Sequence, residues 1–283
     1  MHLRPLGLAL ALATTALAAP LDDAVVLYRA KKYPEARAAL ESIAAADPKN
    51  AAAAYYLGMA LRRRGDATAL DDAVLWLAKA VALEPGNATY LADFGGTSMQ
   101  LANKSRSLSA ATRGRDAMIR AIELDPENLD ARDGLMQFYA EAPFLVGGSR
   151  EKAYAQADEI QKRDPQRGLF ARIGLKLGEK KYAEATALCE DALKLSPDTY
   201  LALYQIGRIA ALSGENLDRG LAALRHALTL TPPPNSPSHS NIHFRLGNIL
   251  EKKADPAAAR AAYEEALKLD PNNRAATDAL AKR

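Results

Sequence analysis

Small and apolar residues recur along this chain at helical spacing, in a motif that appears seven times. A small residue is followed by an apolar one four later, a small or apolar one three after that, and a proline five further on. Ala36, Leu40, Ile43 and Pro48 give the first copy, Ala73, Leu77, Ala80 and Pro85 the second, and Gly114, Met118, Ala121 and Pro126 the third. The motif returns at Ala153 to Pro165, Ala185 to Pro197, Gly220 to Pro232 and Ala259 to Pro271, so successive prolines stand 32 to 41 residues apart. Offsets of four and three put three side chains on one face of a helix. Proline then ends the helix, because it has no amide hydrogen and its ring collides with the preceding turn. A period in this range is the mark of a repeat array.

Upstream of each stop lies a second helical stretch. Most of these hold a glycine preceded by a large apolar residue, as at Leu57-Gly58, Phe94-Gly95, Ile206-Gly207 and Leu246-Gly247. The pairing predicts a tight crossing between the two helices of one hairpin. The first copy has Ala24 at the glycine offset, and the fifth has Ile173 there with Gly174 one place on. This unit resembles the tetratricopeptide repeat, a helix–turn–helix of about 34 residues with a Leu-Gly pair, a later Ala and a closing Pro. The resemblance covers nearly all of the chain after residue 20, and the copy from Asn241 to Pro271 carries it without insertion. It implies an all-α fold: a right-handed α-solenoid of about seven hairpins, closed by the polar C-terminal helix "RAATDALAKR".

Composition agrees with a globular helical chain, with 49% hydrophobic and 25% charged residues. The net charge of +3 is small for 283 residues, so bulk electrostatics give no support to nucleic-acid binding. Residues 1–18 read as a cleaved signal peptide: Arg4, the apolar run "LGLALALAT", then Ala16-Leu17-Ala18 as a small-x-small site with cleavage after Ala18. The expected organisation is therefore 1–18 signal peptide, 19–231 repeats one to six, 232–240 proline-rich connector, and 241–283 the seventh repeat and capping helix. The expected location is periplasmic or secreted. No other apolar run approaches membrane-spanning length. The single cysteine, Cys189, occupies a core position of the motif and excludes a disulfide framework.

Three turns within hairpins carry extra residues: "GDATALDD" near 65, "NKSRSLSAATRG" near 103 and "EAPFLVGGSR" near 141. Falling in consecutive units, they are expected along one edge, where insertions often mark a binding face; drift in tolerant surface loops explains them equally well. Phe144, Leu145 and Val146 are expected to tuck against the repeats, with Gly147-Gly148 making a tight connection and Ser149 capping the next helix. Residues 50 to 170 look similar to exported bacterial tetratricopeptide proteins of unassigned activity, which implies a periplasmic helper and carries over no catalytic residue. The segment "TPPPNSPSHSN" predicts a stiff, extended connector.

No nucleophile motif, phosphate loop or Cys/His cluster appears, and no cofactor is expected. His239 and His243 share a helical spacing that suits two metal ligands, but no motif supplies the further ligands zinc needs. The resemblance implies a concave surface lined by the first helix of each pair, holding a protein or peptide. At the matching offsets stand Tyr55, Phe170, Tyr204 and Phe244, then Met59, Arg208 and Asn248, with Arg132 and Arg245 beside them. Tyr and Arg are enriched in interaction hot spots, although the same aromatics would also suit packing between repeats. If they line a groove, removing Tyr204 and Arg208 should leave the fold intact. Chaperone-tail binding would need a lysine–asparagine pairing that is missing here. The reading reached is a non-catalytic, exported interaction scaffold in cell-envelope assembly or regulation. A binder of a small molecule or envelope polymer is the alternative, and a metal-dependent enzyme comes third.

Overall fold

A computed structural model of the protein describes residues 20–63, 67–234 and 236–282. All regular structure among them is helical, with no strand. In chain order the helices are α1 (20–29), α2 (Tyr33–Ala46), α3 (Ala51–Arg62), α4 (Ala67–Leu83), α5 (Ala88–Ser105), α6 (Leu108–Leu124), α7 (Leu129–Glu141) and α8 (Arg150–Arg163). There follow α9 (Pro165–Gly178), α10 (Tyr182–Leu195), α11 (Tyr200–Ser213), α12 (Leu217–Leu228), α13 (His239–Lys252), α14 (Pro256–Leu269) and α15 (Arg274–Ala281). The helices pair as seven hairpins followed by a single terminal helix, as the repeat motif predicts. The predicted signal peptide lies outside the described residues. No described helix is long and apolar enough to cross a membrane.

The motif residues are the core. Ala36, Leu40, Ala73, Leu77, Ala80, Ala157, Ile160, Ala185, Cys189, Leu224, Ala259, Tyr263 and Ala266 are all fully buried. Each large one among them contributes about 1.5–3 kcal/mol through area removed from water. The small ones set how closely helices approach. A Cβ on Gly95 would sit 3.0 Å from the carbonyl oxygen of Gly114 and 2.8 Å from Met118 Cγ, so α5 and α6 cross almost backbone to backbone. Where Gly is absent the offset is still filled by a fully buried residue, Ala24 in α1 and Ile173 in α9.

Two kinds of joint alternate. Between hairpins, Asp/Glu-Pro-x-Asn recurs: the backbone N–H groups of Asn50, Asn87, Asn128 and Asn273 donate to the carbonyls of Asp47, Glu84, Asp125 and Asp270 at 3.0–3.1 Å. The same asparagines then cap the next helix, their side chains accepting from Ala53, Tyr90, Ala131 and Ala276 N–H at 2.9–3.2 Å. Within hairpins, the turn uses a left-handed residue: Lys31, Arg106, Lys180, Asn216 and Ala254 have φ of 53–60°.

Three details depart from expectation. Pro165 both stops α8 and starts α9; only Asp164 lies between, and its carboxylate accepts the N–H of Arg167 at 2.8 Å. Helix α13 begins at His239, inside the expected connector, because Ser238 and Asn241 form a reciprocal capping box there. Phe144 and Leu145 do not tuck in: they are 87% and 93% exposed, and only Val146 is half-buried. Backbone bonds fix that short 3-10 turn, so its shape needs no apolar burial. Gly147 and Gly148 N–H donate to the Phe144 and Pro143 carbonyls at 2.9 and 3.1 Å, and Ser149 N–H to Tyr139 O at 2.8 Å. Gly147 has φ of 100° and Ser149 caps α8, both as expected.

The chain forms two compact units, one ending at Gly168 and one spanning Leu169–Arg283. The first holds four hairpins; the second holds three and the terminal helix.

Candidate functional site

In the first unit the first helices of the third and fourth hairpins, α5 and α7, carry polar stripes on one face. Asp93, Gly96, Gln100 and Asn103 follow one another by three, four and three residues on α5. Asp130, Asp133, Gln137 and Glu141 do so by three, four and four on α7. All eight border a single cleft of about 770 Å³. Arg62 from α3 and Arg167 from α9 close its sides, and Met99, Met118 and Phe138 give it an apolar floor. One end is walled by two of the long turns, through Arg106, Ser107 and Leu108 and through Pro143 and Val146. Those insertions therefore do share an edge; the one near residue 65 falls partly outside the described residues.

The charges in the cleft are organised. Asp93 accepts from Tyr55 Oη at 2.6 Å and from Arg62 Nη1 at 3.3 Å, while Arg62 Nε donates to Gln100 Oε1 at 3.2 Å. Arg167 donates through Nε to Asp133 at 2.6 Å and through Nη2 to Asp130 at 2.5 Å. Burial pushes the Asp133 carboxyl up, and the Arg167 guanidinium pulls it the other way. Burial, aided by the bond to Asp93, pushes the Tyr55 phenol far above its ordinary range. The Gln137 carboxamide is exposed on this wall and, with Gln100 and Asn103, can offer hydrogen bonds to a guest.

The sequence-predicted positions fare unequally. Tyr55 belongs to the cleft's support: it is half-buried, stacks on Tyr90 with centroids 4.4 Å apart and touches Tyr56 edge-on. Met59 is buried. Arg132 is buried too, its Nε and Nη2 donating to Pro126 O at 3.1 and 2.9 Å and its Nη1 to Gln156, so it holds a turn instead of facing a partner. In the second unit Tyr204 is 7% exposed within the main core cluster, and Phe170 packs half-buried against the same cluster. These aromatics serve packing, and the expectation that Tyr204 is dispensable to the fold is corrected. Arg208 is half-exposed and meets Gln205 at 3.4 Å. Phe244, Arg245 and Asn248 form a small cluster: Arg245 lies over the Phe244 ring at 5.1 Å, and Asn248 Nδ2 donates to Tyr263 Oη at 2.9 Å.

Nothing in the described residues gathers three metal-ligating side chains. His239 Nε2 is engaged by Leu230 O at 3.0 Å, and burial lowers the His243 pKa.

An all-helical fold of stacked hairpins, with a polar cleft bordered by α5 and α7, defines a helical-repeat protein. Tetratricopeptide repeat profiles match residues 21–88 and 240–273. No curated protein matches the sequence significantly. Among solved structures, a tetratricopeptide repeat protein from Parabacteroides merdae is 15% identical, with a TM-score of 0.69 over 93% of this chain and 97% of that one. Yeast Tom70 is 18% identical with a TM-score of 0.65, over 87% of this chain and 50% of Tom70. The C-terminal part of a tetratricopeptide repeat-containing protein from Cytophaga hutchinsonii is 15% identical with a TM-score of 0.51, over 91% and 98%. Residues 21–88 and 240–273 match as tetratricopeptide repeats, and the fold is that of tetratricopeptide repeat proteins. Such proteins are generally non-catalytic scaffolds that bind protein or peptide partners.

Proposed function

We propose that this protein is an exported, non-catalytic adaptor that holds an extended segment of a protein partner in the cleft of its first unit, in cell-envelope assembly or regulation. The observation that carries this reading is the pair of polar stripes on α5 and α7, which together border one cleft. Side-chain amides spaced along such a wall suit the regularly spaced donors and acceptors of a peptide backbone. The export element rests on the signal-peptide pattern of residues 1–18, which supports a periplasmic or secreted mature chain.

The test is a crosslinked pull-down from periplasmic extract, run beside Asn103→Ala/Gln137→Ala. Both residues are exposed, so the variant should keep its helical circular dichroism. One partner captured by the native chain and lost with the variant supports the reading; capture that survives the variant refutes the cleft. The cleft volume also lies within the range of small-ligand sites, roughly 300–1,000 Å³. A thermal-shift screen with glycans and small polar metabolites separates that second reading, since a small ligand would raise the melting midpoint without any protein partner.

A further inference from the structure

Each wall of the α5–α7 cleft is interrupted by a glycine in matching register. On α5, Gly96 comes three residues after Asp93 and four before Gln100; on α7, Gly134 comes four after Asp130 and three before Gln137. Both glycines border the cleft, and each lies between an ion-paired aspartate and a neutral amide of the same helix face. Their causes differ. A Cβ on Gly134 would collide with Met118 Cε, so that wall is cut back for the side chain beneath it. A Cβ on Gly96 would meet Arg62 Nη2 at 3.9 Å, an ordinary contact. Packing among the described residues does not use that space; it opens onto the cleft.

The floor at this waist is made of methionine. Met118 is fully buried and spans from one wall helix to the other, its Cγ against Gly95 of α5 and its Cε against Gly134 of α7. Met99 is half-buried and rests on Gly114 of α6, its Cγ and Sδ 3.1 and 3.3 Å from where a Cβ there would stand. Unbranched, polarizable thioethers mould to the shape of what lies on them.

We infer that this waist is the anchor subsite of the cleft and takes one bulky, uncharged apolar side chain, of leucine, methionine or phenylalanine size, from the partner segment. The inference rests on the peptide-cleft reading above and names the chemistry that the cleft selects. Charge decides the class of side chain. Arg62 is already paired with Asp93, and Arg167 with Asp130 and Asp133, so a charged guest group would leave water for methionine without a free counter-charge. An apolar side chain there removes area from water on both surfaces. The amides of Gln100 and Gln137, one turn further along each wall, are placed to bond the guest's backbone beside its anchor.

The test pans a phage library of random peptides against the intact native chain, with Asn103→Ala/Gln137→Ala as the cleft control. Peptides held by the native chain and lost by the control should share one position restricted to leucine, methionine or phenylalanine. Gly96→Leu fills the subsite and should weaken those peptides by about tenfold or more. Panning on Gly96→Leu should then return peptides with a small residue at that position. Gly96→Ala should weaken the original peptides in the same direction while raising the urea midpoint, since alanine favours helix. Weaker binding beside greater stability cannot come from a damaged fold. Cleft-dependent peptides with no fixed apolar position, or peptides indifferent to both Gly96 variants, would overturn the inference and leave the cleft reading standing. Enrichment of peptides that all survive Asn103→Ala/Gln137→Ala would refute the cleft reading and the subsite with it.

Discussion

Gly207→Ala tests the closeness of helix crossing on which the architecture depends. A Cβ on Gly207 of α11 would lie 2.2, 2.4 and 2.6 Å from the Cγ, Cδ2 and Cδ1 of Leu224, a fully buried residue of α12. Alanine improves helix propensity by about 1 kcal/mol over glycine. Three contacts this short force Leu224 from its rotamer and put the overpacking cost near the upper end of roughly 1–3 kcal/mol. The net expectation is a loss of about 1–2 kcal/mol. Gly174→Ala is the matched control: the residue is exposed in α9 and a Cβ there meets nothing within 4 Å, so only the propensity gain of about 1 kcal/mol remains. The assay is urea denaturation followed by far-ultraviolet circular dichroism on both variants. The two midpoints should move in opposite directions. Leu224→Ala should also cost less in the Gly207→Ala background than in the native chain, since the clash is gone. A Gly207→Ala variant as stable as the native chain would refute the backbone-close crossing.

Four other outcomes follow from the geometry. Ala254 sits at φ of 58°, where a Cβ is strained, so Ala254→Gly should raise stability by about 0.5–1 kcal/mol in the same urea assay. Tyr204→Ala should cost about 3–5 kcal/mol as a core truncation, and Arg208→Ala should stay within about 0.5 kcal/mol, which thermal melting of the single variants will separate. His243 has its pKa lowered by burial and by His239, against the opposing charge of Glu265. The unfolded chain therefore binds its proton more readily, stability falls as pH drops below about 6.5, and His243→Gln should flatten that part of the pH–stability curve measured by urea titration. The buried Cys189 thiol is pushed up to about 12 by burial, so a thiol reagent at pH 8 should leave the native protein unlabelled and react once urea unfolds it.

The repeat motif made the core legible because its residues obey one rule in every copy. The proline marks a stop, the small residue marks a crossing, and burial at Leu77, Leu224 or Tyr263 follows from spacing alone. The groove was harder to read. Choosing residues by hot-spot type led to Tyr204 and Phe170, whose aromatic area is worth more inside a core than on a surface. The cleft instead carries the unremarkable polar residues Asp93, Gln100, Asp133 and Gln137. Their signal was present as a second period, polar positions three and four apart on α5 and α7. The exposed tip at Phe144 was misread for a related reason. Apolarity argues for burial only when the backbone leaves the side chain a surface to reach, and the Gly147-Gly148 connection points this turn outward.

The alternation of joints has a consequence for how this molecule can be rebuilt. The Asp/Glu-Pro-x-Asn junction takes its turn bond and its capping oxygen from four adjacent residues, joined at Pro126 by Arg132 and at Asn273 by Ser240. Cutting at Asn50, Asn87, Asn128 or Asn273 yields cassettes that begin with their own cap and end with their own stop. Hairpins can therefore be duplicated, deleted or exchanged at these seams, while the turns inside them lengthen independently. The chain separates the grammar that stacks its units from the vocabulary displayed on them.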